Sequence, residues 1–208
     1  MESSLAENDG RLVKREMVKL RKLDSFIKES QRLSPPGLCT SPAATALMLT
    51  LHRLVSFHYL FVGIESMLTN CIVAMRRQVV SDITLSDGTV LPKGISVAVP
   101  SWGINHDEQI WEDPWEFDGF RHAKLRDVPG SELKHQFATS APDSLSFGYG
   151  SQACPGRFFA SNEIKVILSL VLLKYDFKLD DGVRPDNMFN DTSIMPSMGT
   201  KMSFRGRK

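Results

Sequence analysis

The sequence predicts a mainly α chain with small β-sheets, an α+β arrangement. Three observations carry this: two segments with apolar residues at helical spacing, one short segment that alternates with period two around a tight turn, and a long aperiodic stretch between them. From Arg11 to Leu33 the apolar positions are Val13, Met17, Leu20, Leu23, Phe26 and Ile27, with lysines and arginines interspersed, which predicts one or two helices. Ser34-Pro35-Pro36-Gly37 ends that run, because proline lacks the backbone donor and disfavours helical geometry in the residue before it. Ile83-Thr84-Leu85 and Thr89-Val90-Leu91 then flank the turn signal Ser86-Asp87-Gly88, and Ile95-Ser96-Val97-Ala98-Val99 alternates as a strand does. Between Trp102 and Ser146 the chain is rich in Asp, Pro and aromatics without a sustained period, which reads as one long ordered loop. Residues 157–174 return to helix, with Phe158, Phe159, Ile164, Ile167, Leu168, Val171 and Leu172 on a wide apolar face, and Asp176 to Lys208 reads as short strands and turns.

The 208 residues are 42% hydrophobic, enough for one ordinary core or part of a larger one. With 25 basic against 24 acidic residues, net +1, no global field draws the chain to nucleic acid, and no nucleic-acid partner is expected. Cys39, Cys71 and Cys154 are too few and too scattered for a disulfide framework or a paired-cysteine zinc site. The polar run after Met1 lacks the apolar core of a secretory signal. The most apolar stretch, Ala43 to Ala74, is interrupted by His52, Arg53, His58 and Glu65 and makes a weak membrane span.

The most informative segment is Phe147-Gly148-Tyr149-Gly150-Ser151-Gln152-Ala153-Cys154-Pro155-Gly156-Arg157-Phe158-Phe159-Ala160, a glycine-rich loop that delivers one cysteine to the start of an apolar helix. Gly148 and Gly150 allow torsions and close approach that a side chain would block, so the loop can lie flat against a large planar ligand. Gly156 lets the helix begin tightly. A cysteine beside a helix N-terminus meets backbone donors and the positive end of the dipole, which favour the thiolate that ligates metal.

This segment resembles the haem-binding signature of the cytochrome P450 family, Phe-Gly-x-Gly-x-x-x-Cys-x-Gly with Ala four residues on, at every fixed position. The resemblance implies the C-terminal part of the cytochrome P450 fold, haem b as cofactor, and Cys154 as the axial ligand of its iron, the metal site. It assigns Phe147, Gly148, Gly150, Gln152, Cys154 and Gly156 to cofactor binding. Gln152 stands where many relatives place Arg or His for a haem propionate; glutamine can donate a hydrogen bond but carries no charge. Arg77, five residues before Asp82, lies where the family sends a basic side chain to a propionate, with Arg76 or a plain surface role as alternatives. In Glu29-Ser30-Gln31-Arg32 the charged pair lies one helical turn apart. The resemblance gives it Arg121, in Phe117-Asp118-Gly119-Phe120-Arg121-His122, as partner in a Glu-Arg-Arg network that locks loop to helix. His52, His58, His122 and His135 show no ligand spacing, His106 reads as structural, and Trp111 and Trp115 read as loop packing.

The chain divides, on this reading, into a helical region 1–38, an anomalous insertion 39–74, and a haem-binding region 75–208. Relatives have only a few residues in place of 39–74, so the segment is read as a retained intron or mistaken gene model, with a genuine lineage insertion as the alternative. The N-terminal half of the family fold is expected to be absent, and with it the family's oxygen-handling helix, so no catalytic residue is assigned. The implied activity is haem-dependent monooxygenation of a lipophilic secondary metabolite, in the style of fungal members, with electrons from an NADPH-dependent P450 reductase or similar donor. The family works on the cytoplasmic face of the endoplasmic reticulum membrane, and no anchor is read in this chain. A non-catalytic haem-binding remnant is the rival reading. Sequencing the mature transcript tests the insertion: a spliced message that still encodes residues 39–74 refutes the intron.

Overall fold

The computed structural model describes residues 14–34, 70–71, 74–190, 193–195, 197 and 199–207. Most of the expected insertion, with Cys39, therefore lies outside the described residues. Its C-terminal end does not. Asn70–Cys71 forms a two-residue strand, β1, and Ala74 opens β2, Ala74–Gln78. A two-residue strand is too short to show alternation in sequence.

The first helical region is two helices, α1 at Lys14–Met17 and α2 at Arg21–Leu33. Strong helix formers fill α2, which stops at Ser34, whose N–H bonds Ser30 O, just before the proline pair in the sequence. Its buried residues are Asp24, Ser25, Ile27, Lys28, Glu29, Gln31 and Arg32, while Phe26 is half exposed. The helix thus turns its charged face inward.

Strands β3, Ile83–Thr84, and β4, Val90–Leu91, form the expected hairpin, and Gly88 at φ +86 makes the turn. β5, Ser96–Val99, pairs antiparallel with β2, with Arg77 opposite Val97 and a bulge at Met75, φ +52.

The stretch after Pro100 differs from the expected uninterrupted loop. It contains α3, Ser101–Asn105, and α4, Arg121–Leu125. Five-residue helices span little more than one turn, so they leave no repeating period to read. α4 packs against α2. Past the loop, α5 runs Arg157–Lys174 and leads directly into β6, Tyr175–Leu179, which pairs with β9, Met202–Gly206. β7, Met188–Asn190, and β8, Ser193–Met195, complete a three-stranded sheet in the order β1-β8-β7.

α5 also departs from its expected apolar face. Phe158 and Phe159 are 56% and 73% exposed, and the buried stripe is Ser161, Ile164, Lys165 and Ser169. Burial follows partners rather than hydropathy here, because Lys165 meets the α2 carboxylate Asp24. The apolar core lies between α2 and α5: Ile27, Phe137 and Ile164, with Leu23, Phe147 and Leu168 packed against them. Among the described residues no helix is long and apolar enough to cross a membrane.

Candidate functional site: a cysteine loop and a buried carboxylate

The cysteine loop is held by its own backbone. Cys154 N–H donates to Phe147 O at 2.7 Å, Gly148 N–H to Leu145 O at 2.8 Å, and Ala153 N–H to Gly150 O at 3.1 Å across the 3₁₀ turn Gly150–Gln152. Gly148 and Gly150 both sit at φ +71, a left-handed conformation that side chains resist. A Cβ at Gly150 would point into open space, and one at Gly156 would stand 3.9 Å from Cys154 Sγ. The sulfur is free and half-buried, one turn before α5, with exposed Phe158 and Phe159 beyond it. Phe147 anchors the loop inward, its ring edge-on to Phe137 at 5.4 Å.

The second assembly centres on Glu29, which has no solvent exposure. Its Oε2 accepts from Arg32 Nε at 2.9 Å, and its Oε1 accepts from Arg32 Nη2 at 2.8 Å, Arg121 Nε at 3.0 Å and Asp118 N at 3.2 Å. The remaining guanidinium hydrogens reach loop carbonyls. Arg32 donates to Asn105 O, Pro114 O and Glu116 O, and Arg121 to Glu112 O, Asp113 O and Glu116 O. Burial alone would raise the Glu29 pKa, but the hydrogen bonds and charge of Arg32, with the His122 ring beside it and the Asp118 N–H, hold it well below the usual carboxylate range.

A family model described as Cytochrome P450 matches residues 68–204, most of the chain. The chain belongs to the cytochrome P450 family. It is 41% identical over 197 residues to Cytochrome P450 monooxygenase ORF5 of Penicillium roqueforti (strain FM164), covering 94% of this chain and 30% of that protein. It is 40% identical over 213 residues to Cytochrome P450 monooxygenase BOA7 of Botryotinia fuckeliana (strain B05.10), covering 98% and 34%. The chain thus spans about a third of the length of these P450 relatives. Among solved structures, the retinoic acid-bound cyanobacterial CYP120A1 superposes with a TM-score of 0.60 at 19% identity, covering 95% of this chain and 35% of that one. That likeness shows the P450 fold, of which this chain carries the C-terminal portion.

P450 membership implies a haem iron with a cysteine thiolate ligand, and the residues present fit one. No group of three or more His, Cys, Asp or Glu that could hold a metal ion occurs among the described residues. A lone sulfur such as Cys154 suits an iron whose other ligands come from a macrocycle. Of the loop glycines, Gly156 is the one whose added Cβ would stand beside the sulfur, while at Gly148 it would meet the backbone of Ala153 and Gln152.

The other residues singled out from sequence are dispersed. Gln152 is exposed at the end of the 3₁₀ turn. Arg77 is exposed on β2 and makes its side-chain bond to Arg76 O rather than to the cysteine loop. His106 lies between Trp102 and Trp115, ring centroids 4.0 and 4.2 Å away. Trp111 is buried and donates to Ile104 O, whereas Trp115 is 64% exposed.

Sequence reasoning missed five members of the buried set. His122, 1% exposed, places Nε2 3.4 Å from Glu29 Oε2, against the edge of Trp111. Lys28 donates to Gln136 O and Thr139 O, and burial lowers its pKa to about 8 despite Asp143 and Asp24 nearby. Arg126 and Lys165 both meet Asp24. Histidine directly after the family arginine, and Asp and Lys one helical turn apart in Asp24-Ser25-Phe26-Ile27-Lys28, were the available signals.

Two outcomes follow. Arg121→Ala removes the donor to Glu112 O, one of two donors to each of Asp113 O and Glu116 O and one of three to Glu29 Oε1, and should lower the unfolding free energy by about 3–5 kcal/mol in urea titrations. Arg121→Lys should recover little of it, since an ammonium cannot reproduce the fork. Burial holds the His122 pKa below its ordinary 6.5, against the pull of Glu29, so its stabilising contribution is complete above 6.5 and is lost as the pH falls through the lower folded value. His122→Gln should therefore lose less stability than the parent between about pH 7 and pH 5 in urea midpoints; an identical slope would contradict a buried neutral His122. His135, also lowered by burial, keeps the remaining slope from vanishing.

Proposed function

We propose that the chain forms the haem-ligating part of a monooxygenase in which the Cys154 thiolate is the axial ligand. The observation that carries this reading is the free, half-buried sulfur of a loop with two left-handed glycines, beside which Gly156 places no Cβ. Bound haem b would supply the oxygen-activating iron, placing one atom of O2 into substrate and the other into water. The chain's own residues do the holding. Because the Cys154 N–H is committed to Phe147 O, the loop fixes the cysteine backbone, while Gly148 and Gly150 supply its left-handed torsions and Gly156 keeps a Cβ away from the sulfur. Arg157 Nη1 donates to Cys154 O at 2.8 Å, tying the first residue of α5 back to the loop.

In this reading Gln152 contributes an uncharged hydrogen bond to one propionate, and Arg77, or Arg76 beside it, a charge to the other. Glu29, Arg32 and Arg121 act as a structural network beneath the site. The substrate class is a lipophilic secondary metabolite and the electron donor an NADPH-dependent P450 reductase or similar protein, at the cytoplasmic face of the endoplasmic reticulum. These follow from likeness to fungal members rather than from site geometry.

The deciding experiment is the spectrum of the reduced, carbon monoxide-bound, haem-loaded protein. The parent should show the red-shifted Soret band of thiolate ligation and Cys154→Ala should lose it. A Cys154→Ala protein that keeps the band would overturn the assignment.

A further inference from the structure

A second buried charge cluster joins the two sides of the cysteine. Asp24, on α2, is 3% exposed; its Oδ1 meets Lys165 Nζ of α5, and its Oδ2 accepts from Phe137 N at 2.9 Å and lies 3.4 Å from Arg126 Nη1. Lys165 and Arg126 are themselves 7% and 6% exposed.

Two physical routes lead from this carboxylate to Cys154. One runs through the loop before the cysteine: Asp24 holds the Phe137 backbone, the Phe137 ring packs edge-on against Phe147, and Phe147 O accepts the Cys154 N–H. The other runs through the helix after it. Lys165 lies eight residues into α5, about 12 Å along its axis at the helical rise, so pinning its ammonium fixes the helix in both translation and rotation. Ser161, Ile164 and Ser169 form the rest of the buried stripe, so no other charge on that stripe performs this task.

We propose that Asp24, paired with Lys165 and Arg126, is a positioning residue for the Cys154 thiolate, setting the sulfur's place from both flanks at once. The proposal rests on the haem-thiolate reading of Cys154. Removing the carboxylate charge leaves two buried cations sharing a dry site, which relaxes by shifting α5 or freeing Phe137, and either motion moves the cysteine. A cluster that served stability alone would lower the melting temperature without altering ligation.

The test compares haem-loaded parent, Asp24→Asn, Lys165→Met and Lys165→Arg by the share of the reduced, carbon monoxide-bound protein that shows the thiolate band. Asp24→Asn and Lys165→Met should lower that share several-fold, and Lys165→Arg, which retains the charge, should restore most of it. Parent-like shares in both neutral variants, whatever their melting temperatures, would overturn the proposal. Where those variants do not fold, Asp24→Glu, which lengthens the anchor by one methylene, is measured the same way: a reduced share supports the proposal and an unchanged one overturns it. Hydrogen exchange of the Cys154 amide in haem-free protein gives a second readout. Asp24→Asn should speed that exchange about ten-fold relative to the amides of β6 and β9, and an equal change at all three would overturn the proposal. A parent lacking the thiolate band defeats the ligand reading instead, and the exchange experiment then decides the positioning of Cys154 by itself.

Discussion

Everything around the site depends on one ionised carboxylate, Glu29, with no exposed surface. A charge in that place is tolerable only when every lone pair is met, and five contacts from Arg32, Arg121, Asp118 and His122 meet them. The same contacts solve a second problem. The segment from Asn105 to Asp118 has no strand ladder to satisfy its backbone, and its inward carbonyls need donors. Two guanidinium groups, each holding Glu29 with one edge, offer the other edge to those carbonyls. A long irregular loop is thereby folded around two arginines instead of around a hydrophobic centre.

The arrangement extends along α2. Asp24, Lys28, Glu29 and Arg32 are all buried there, and each finds its partner in a different part of the chain: α5 and Arg126, the Gln136–Thr139 carbonyls, α4, and the Asn105–Glu116 loop. The helix is a polar hub, and a small apolar core of Ile27, Phe137 and Ile164 joins it to α5. Burial, with the Lys28 charge beside it, holds the His122 pKa below its ordinary value against the pull of Glu29, which favours the neutral ring beside this hub.

What was legible in the sequence was what is local. The cysteine loop could be read because its constraints fall within ten consecutive residues, and the torsions of Gly148 and Gly150 are of the kind that only glycine adopts readily. The β3–β4 turn and the extent of α5 were legible for the same reason. The buried face of α2 was not, since hydropathy points Phe26 inward and Glu29 outward, and only partners about ninety residues away reverse that choice. The short helices α3 and α4 left no period, and the exposure of Phe158 and Phe159 depends on which stripe Asp24 captures. For Arg77 the sequence left surface and site roles open, and on β2 it is exposed with its side chain bonded to Arg76 O.

The reversed polarity of α2 also bears on how the chain is made. Lys165 follows Asp24 by 141 positions in the sequence, so a ribosome adding residues at ordinary speed leaves α2 without its main partner for on the order of ten seconds. A helix whose inner face was apolar would spend that interval exposing a sticky stripe. This one exposes Asp24, Lys28, Glu29 and Arg32 to water, where charges are at no disadvantage, and they become demanding only when the terminal helix arrives to enclose them. The charged surface that organises the finished protein is thus one that water accepts before its partners exist.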